Sequence, residues 1–232
     1  MSYTKLVLLR HGQSEWNKKN LFTGWHDVKL SPEGKIEAIQ AGKILKINNF
    51  KFDYAYTSVL KRAIHTLWLT LKELNQLWIP IKKTWRLNER HYGKLQGMNK
   101  NQITHKFGKK KVQEWRRSFK IEPPALSTND IRWSRFDEKY SKLEDYQLPL
   151  SESLCKTLER VMYLWKNNIS TKIINGERIL IVAHGNSLRA LIKHIENIND
   201  NDIVNLNIAT GMPIVYEFDS NLNYKKKYYL NN

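Results

Sequence analysis

A chain of 232 residues can bury a substantial core, as one large domain or two small ones, and no linker-like stretch divides it. Lys and Arg number 39 against 22 Asp and Glu, and the resulting +17 suits either a polyanion binder or a broadly lysine-rich surface. The single cysteine, Cys155, rules out an intramolecular disulfide; no signal core follows Met1 and no apolar run nears bilayer length, so a soluble, cytoplasmic protein without a membrane partner is expected.

In chain order, Lys5-Leu6-Val7-Leu8-Leu9 reads as a strand buried on both faces that stops at Arg10-His11-Gly12-Gln13-Ser14. Ser31-Pro32-Glu33 starts a helix with Ala38, Ala41 and Leu45 on one face, and Asn48-Asn49 ends it. Residues 52–57 form a second strand, followed by a helix that buries Leu60, Ile64, Leu67, Trp68, Leu71 and Leu74. Arg62 falls in its first turn, where a cation opposes the helix dipole; a bound anion and a tolerated exposed arginine both account for it. Residues 79–84 form a third strand, at an edge because of Pro80. It leads to the polar run Leu87-Asn88-Glu89-Arg90-His91-Tyr92-Gly93, in which Glu89 is either a proton shuttle or a surface ion-pair partner.

Residues 99–150 turn polar and aromatic, with short helices at 99–107 and 111–119, the second presenting Trp115, Arg116 and Arg117. Pro123-Pro124 breaks the pattern, and the rest to Pro149 reads as loop, together an insert that caps the histidines. A long helix starts at Ser151 and runs through Leu154, Leu158, Val161, Leu164 and Trp165, with Cys155 as a packing residue. A strand at 178–183 then ends in His184-Gly185-Asn186-Ser187 and leads into a helix to Ile195; residues 213–218 and 224–230 make a hairpin around Asp219-Ser220-Asn221. The expected fold is a single α/β domain, 1–232: a three-layer sandwich with a mostly parallel central sheet and a helical and loop insert at about 99–150 over the active site.

Two strands thus end in His-Gly-amide-Ser. Carboxyl ends of parallel strands are where such sheets bind ligands, and glycine followed by a helix start offers free N–H groups to an anion. If the strands are neighbours, His11 and His184 face each other across a phosphate-sized pocket, one able to attack phosphorus while the other offsets charge on the equatorial oxygens. Arg10 and Arg62 should lower the His11 pKa. HExxH and cysteine clusters are absent and His26, His65 and His91 carry no ligand spacing, so no metal is implied. No DNA- or RNA-reading motif accompanies the positive charge, so no nucleic-acid partner is expected.

Leu9-Arg10-His11-Gly12-Gln13-Ser14-Glu15-Trp16-Asn17, Phe22-Thr23-Gly24-Trp25, Tyr56-Thr57-Ser58-Val59-Leu60-Lys61-Arg62-Ala63, the Leu87 to Gly93 run, Trp115-Arg116-Arg117 and Ala183-His184-Gly185-Asn186-Ser187-Leu188-Arg189 resemble the histidine phosphatase superfamily. In this order and spacing they resemble, within it, the cofactor-dependent phosphoglycerate mutase family. That resemblance implies interconversion of 3-phosphoglycerate and 2-phosphoglycerate with 2,3-bisphosphoglycerate as primer and no metal, by a homodimer. It implies His11 as the phosphohistidine nucleophile, Glu89 as proton donor and acceptor, and His184 as transition-state stabiliser. Arg10, Ser14, Asn17, Thr23, Gly24, Arg62, Arg90, Gly185 and Asn186 are implied as phosphate and substrate contacts, joined from the insert side by Tyr92, Lys100, Arg116 and Arg117. A phosphomonoesterase on the same scaffold is the first alternative and a basic nucleic-acid-binding protein, suggested by the +17 charge, the more distant one; the cations of the insert speak for the mutase.

Overall fold

The computed structural model describes residues 3–230. Strand β1 (Thr4–Arg10) is its axis: Leu6, Val7, Leu8 and Leu9 are all fully buried. Alternation along the strand splits them between two cores. Leu6 and Leu8 pack with Val161, Leu164, Leu188 and Leu191, whereas Val7 and Leu9 pack with Ala41, Leu45, Leu67 and Leu71. The first core belongs to helices α6 (Leu154–Leu164) and α8 (Gly185–Ile195), the second to α2 (Pro32–Ile47) and α3 (Lys61–Glu73). The result is the expected three-layer α/β/α sandwich.

The sheet has six strands in the order β3-β2-β4-β1-β5-β6, with β2 at Tyr54–Thr57, β3 at Ile81–Lys83, β4 at Ile179–Ala183, β5 at Pro213–Phe218 and β6 at Tyr224–Tyr229. β1 to β4 are mutually parallel, and β5 and β6 close one side as an antiparallel hairpin. β1 and β4 pair directly, Arg10 opposite Ala183, so their carboxyl ends stand level.

Local capping fixes what leaves those ends. Ser14 caps the short helix α1 (Glu15–Lys18) and exchanges hydrogen bonds with Asn17, while Ser31 caps α2 by accepting from the Gly34 N–H at 3.1 Å. Asn48 and Asn49 end α2, Asn49 at φ 57°, a left-handed conformation that asparagine tolerates. On α3 the buried stripe is Arg62, Ala63, Thr66, Leu67, Thr70 and Leu71, and Trp68, expected inside, is 47% exposed. Hydroxyls explain the rotation: Thr70 donates to the Ala38 carbonyl of α2, and Thr66 accepts from the Gly12 N–H and donates to the Arg62 carbonyl.

Helix α6 starts at Leu154 with Ser153 as its cap, three residues beyond the expected Ser151, whose hydroxyl donates to the Pro123 carbonyl instead. A π-turn at Trp165–Ile169 links it to α7 (Ser170–Ile174). Cys155 is half-buried rather than packed inside, and burial together with Glu159 raises its thiol pKa. Among the described residues no helix is long and apolar enough to cross a membrane.

Residues 99–150 hold α4 (Lys100–Phe107) and α5 (Lys109–Arg117), which bury Ile103, Val112 and Trp115 against Phe22 and Leu95. The stretch read as loop instead has a core of its own: Leu126, Trp133, Tyr140 and Leu148 close around Trp25. Its three short 3-10 turns at Ser134–Phe136, Glu138–Tyr140 and Asp145–Gln147 carry no helical or strand period.

Where β1 ends, the backbone of Gly12 lies against that of Gly34 at the start of α2. A Cβ on Gly12 would run into the Gly34 carbonyl, and one on Gly34 into the Gln13 carbonyl. Gly34→Ala is therefore expected to cost about 1–3 kcal/mol by overpacking, read as a lower midpoint in denaturant unfolding. Turnover should fall with it, because the displaced segment carries His11.

Candidate active site

His11 and His184 follow β1 and β4, and the parallel register sets their rings 4.9 Å apart at 61°. The His11 N–H donates to the Ala183 carbonyl at 2.9 Å, stitching the two turns together. His11 Nδ1 lies 2.7 Å from the Gly12 carbonyl, which can only accept; Nδ1 therefore carries the proton, and Nε2 keeps its lone pair. Burial, followed by Arg62 and Arg10, holds His11 well below the ordinary imidazole pKa, and the Gly12 carbonyl opposes this only in part. Burial thus outweighs the arginines that the sequence singled out. His184 is depressed by burial first, then by Arg62 and His11; its Nε2 pairs with Ser58 Oγ at 2.7 Å, while Nδ1 has no partner.

Arg62 sits in the first turn of α3 and is 1% exposed. Its guanidinium donates to the His26 and Gly24 carbonyls at 2.9 and 2.8 Å, and burial lowers its pKa to about 10 against the pull of Glu89 and Asp27. The exposed-arginine account of this residue is thereby excluded. Arg10 donates to the Ile208 carbonyl at 2.6 Å and leaves Nε unpaired. Asn17 Oδ1 accepts from the Ser14 N–H and hydroxyl, so the amide NH2 is the end left to bind a ligand. Glu89 Oε1 accepts from the N–H groups of Arg90 and Asn186 at 2.9 and 3.0 Å, which ties this carboxylate to the start of α8. It is not a surface ion-pair partner.

These side chains surround one cavity of about 110 Å³, also lined by Thr23, Gly24, Gly185, Asn186 and Tyr92 and, from the insert, by Lys100, Arg116 and Arg117. Burial lowers the Lys100 ammonium and Arg117 guanidinium pKa values, with Arg116 acting in the same direction on both. The Tyr92 phenol, which burial alone would raise, is lowered by Arg90 beside it. Residues 118–150 contribute nothing to the lining: the part of the insert that meets the pocket is α4 and α5.

Three expected contacts stand behind the wall. Ser14 is fully buried and bonded to Asn17; His184 is fully buried against His11; Arg90 is fully buried and donates to the Tyr92 hydroxyl and the Arg116 carbonyl. Five lining residues went unassigned in the sequence: Leu21, Phe22, Arg189, Asn207 and Ile208. Arg189 carried a readable signal, a charge on the face of α8 that also holds Asn186, three residues earlier. Behind Glu89, the buried Glu152–Arg160 pair holds the loop: Arg160 donates to the Arg86, Asn88 and Glu89 carbonyls, and Glu152 accepts from the His91 N–H. Sequence reasoning had no means of pairing these two with residues more than sixty positions away.

The lining carries Arg10, Arg62, Lys100, Arg116, Arg117 and Arg189 against Glu89 as carboxylate, and buried nitrogens of Arg10 and Arg189 and the Thr23 hydroxyl lack partners. Unpaired buried donors beside an excess of positive charge fit an anionic ligand of more than one charged group. Among the described residues no cluster of three or more His, Cys, Asp or Glu side chains could hold a metal ion.

A sandwich whose parallel strands bring a neutral histidine and buried arginines to one pocket, with a second neutral histidine packed behind the first, has the architecture of a histidine-based phosphoryl-transfer enzyme. The chain matches the histidine phosphatase superfamily (branch 1) over residues 6–133 and 127–230, and belongs to that superfamily. Among solved structures it is similar to a mycobacterial glucosyl-3-phosphoglycerate phosphatase complexed with VO3, at 19% identity over 97% of each chain and a TM-score of 0.73. YhfR of Bacillus stearothermophilus matches at 21% identity over 96% of this chain and 94% of its own, with a TM-score of 0.72. The alpha-ribazole phosphatase of Shigella flexneri matches at 19% identity over 93% and 91%, with a TM-score of 0.67. At these identities the likeness establishes the fold.

The depressed pKa values have a defined sign. His11 stays neutral to a lower pH than an ordinary histidine, whose pKa is 6.5. The acid limb of kcat/KM assigned to His11 is expected well below that value, and Arg62→Met should move it upward, as a pH-rate profile of each protein would reveal. Stability follows the same groups. As pH falls below about 6.5 the unfolded chain binds protons that buried His11 and His184 refuse, so the melting temperature should decline there.

Proposed function

We propose that this protein interconverts 3-phosphoglycerate and 2-phosphoglycerate by phosphoryl transfer through His11, primed by 2,3-bisphosphoglycerate. The observation that carries this reading is the second set of cations. Arg10 and Arg62 beside His11 suffice for one phosphate, yet Lys100, Arg116 and Arg117 reach the same cavity from the insert. A substrate with a carboxylate and phosphate groups uses both sets; a simple monoester needs only the first.

In this reading His11 Nε2 attacks a phosphorus of the bisphosphate, forming the N–P bond as the O–P bond breaks, and Glu89 supplies the proton taken up by the leaving oxygen. The reverse step returns the phosphoryl group to the other hydroxyl, with Glu89 removing its proton, so that no phosphate is lost overall. Arg10, Arg62, Asn17 and the Gly185 and Asn186 turn offset charge on the transferring group, with His184 beside them. The insert cations hold the remaining anionic groups while the ligand turns over in the pocket, and α4 and α5 limit the entry of water to phospho-His11.

A second reading is favoured by the names of two structural neighbours: a phosphomonoesterase, in which water takes the phosphoryl group from His11. The two differ in product. Conversion of 3-phosphoglycerate to 2-phosphoglycerate that requires catalytic bisphosphate, persists with a chelator and vanishes in His11→Ala is the expected result; free phosphate without isomerisation would replace the mutase with the phosphatase. In the mutase, Arg116→Ala removes a charge-assisted contact worth about 1.5–3 kcal/mol, so bisphosphate affinity should drop ~10- to 100-fold. The ratio of phosphate release to isomerisation should rise, and an unchanged ratio would count against Arg116 as a holding group.

A further inference from the structure

Arg189 is 3% exposed on α8, five residues after His184, and lines the pocket. Its guanidinium joins three separate pieces of chain. Nη1 donates to Asn186 Oδ1 at 2.8 Å, and Nη2 donates to the Arg117 carbonyl at 3.0 Å and the Ile203 carbonyl at 2.6 Å. Each contact has a consequence at the site. A guanidinium can only donate, so it pins the Asn186 oxygen toward itself and turns the amide NH2 toward Tyr92, whose hydroxyl lies 3.3 Å away. The Arg117 carbonyl is one of the last of α5, at the negative end of that helix, where carbonyls lack intrahelical donors and cations are favoured. Arg90 treats the preceding carbonyl, that of Arg116, in the same way. Two buried arginines rooted in the core thus cap the helix end that carries Arg116 and Arg117. Burying a guanidinium at the cavity wall, with Nε left unpaired, is costly for mere packing, which an aliphatic side chain would serve better.

We infer that Arg189 is a positioning residue for ligand binding: through the Arg117 backbone and the Asn186 amide it locks α5 to α8, and so sets how tightly the anionic groups remote from His11 are held. This rests on the reading of the pocket as a site for a bisphosphate. It separates Arg189 from Arg10 and Arg62, which act at the His11 end.

The test compares two anions of different reach by calorimetry. Orthovanadate, a compact phosphate mimic, is titrated into the native protein and its Arg189→Gln variant; 2,3-bisphosphoglycerate is titrated into the same pair carrying His11→Ala, so that no phosphoryl group moves. Arg189→Gln is expected to weaken the bisphosphate at least tenfold more than it weakens vanadate, and Arg189→Lys, one donor in place of a fork, to recover only part of that loss. Equal fold-losses for both anions, or no loss for either, would overturn the inference, as would full recovery by lysine. If Arg189→Gln does not fold, Arg189→Lys is read by the same ratio, and a ratio of one overturns the inference. Failure of the unsubstituted Arg189 protein to bind bisphosphate would instead overturn the functional reading on which the inference rests.

Discussion

The direct parallel pairing of β1 with β4 is the constraint on which the rest depends. It sets Arg10 opposite Ala183, and one hydrogen bond from the His11 N–H to the Ala183 carbonyl carries the alignment past the strand ends. Two imidazoles from positions 173 residues apart then stand edge to face at 4.9 Å. Both are buried deeply enough that the charged form is disfavoured, which leaves His11 with a free Nε2 and permits the close approach. Charged imidazoles could not share that space.

Around this pair the site accumulates positive charge that the chain itself does not neutralise. Six cationic side chains, Arg10, Arg62, Lys100, Arg116, Arg117 and Arg189, line a cavity whose lining carboxylate is Glu89. Buried like charges cost stability unless something compensates, and here carbonyl oxygens do part of that work: Arg62, Arg10 and Arg189 each donate to main-chain carbonyls. The guanidinium groups are thereby held in fixed orientations before any ligand arrives. Such preorganisation is what makes an anion site effective, because little reorientation remains when charge develops.

The supporting shell is built from close contacts that tolerate little variation. Gly12 and Gly34 let the His11 turn rest on the start of α2, Thr66 ties that turn to α3, and the Glu152–Arg160 pair fixes the loop bearing Glu89. Helix α5 is held from the core by Arg90 and Arg189. The insert therefore divides by role. Its helical half faces the cavity, and its irregular half forms the Trp25 cluster, a buttress for the wall.

Local pattern determined much of this protein. The continuous apolar runs before His11 and His184, the Ser-Pro-Glu start of α2, the Asn48-Asn49 stop and the C-terminal hairpin are consequences of short-range sterics and capping, and the sequence carries them openly. Most of the pocket was legible too, because its residues lie beside those strand ends or in motifs of fixed spacing. Only the tertiary structure decided which arginines touch the cavity and which stand behind it, Arg90 behind and Arg189 at the wall, since both are charges in polar-rich or amphipathic runs that look alike in one dimension. It alone turned Trp68 outward and gave residues 126–148 a core, because those outcomes depend on hydroxyl and aromatic partners that are distant along the chain. Contacts of that kind have no period to read; they exist only once the sheet has brought their partners together.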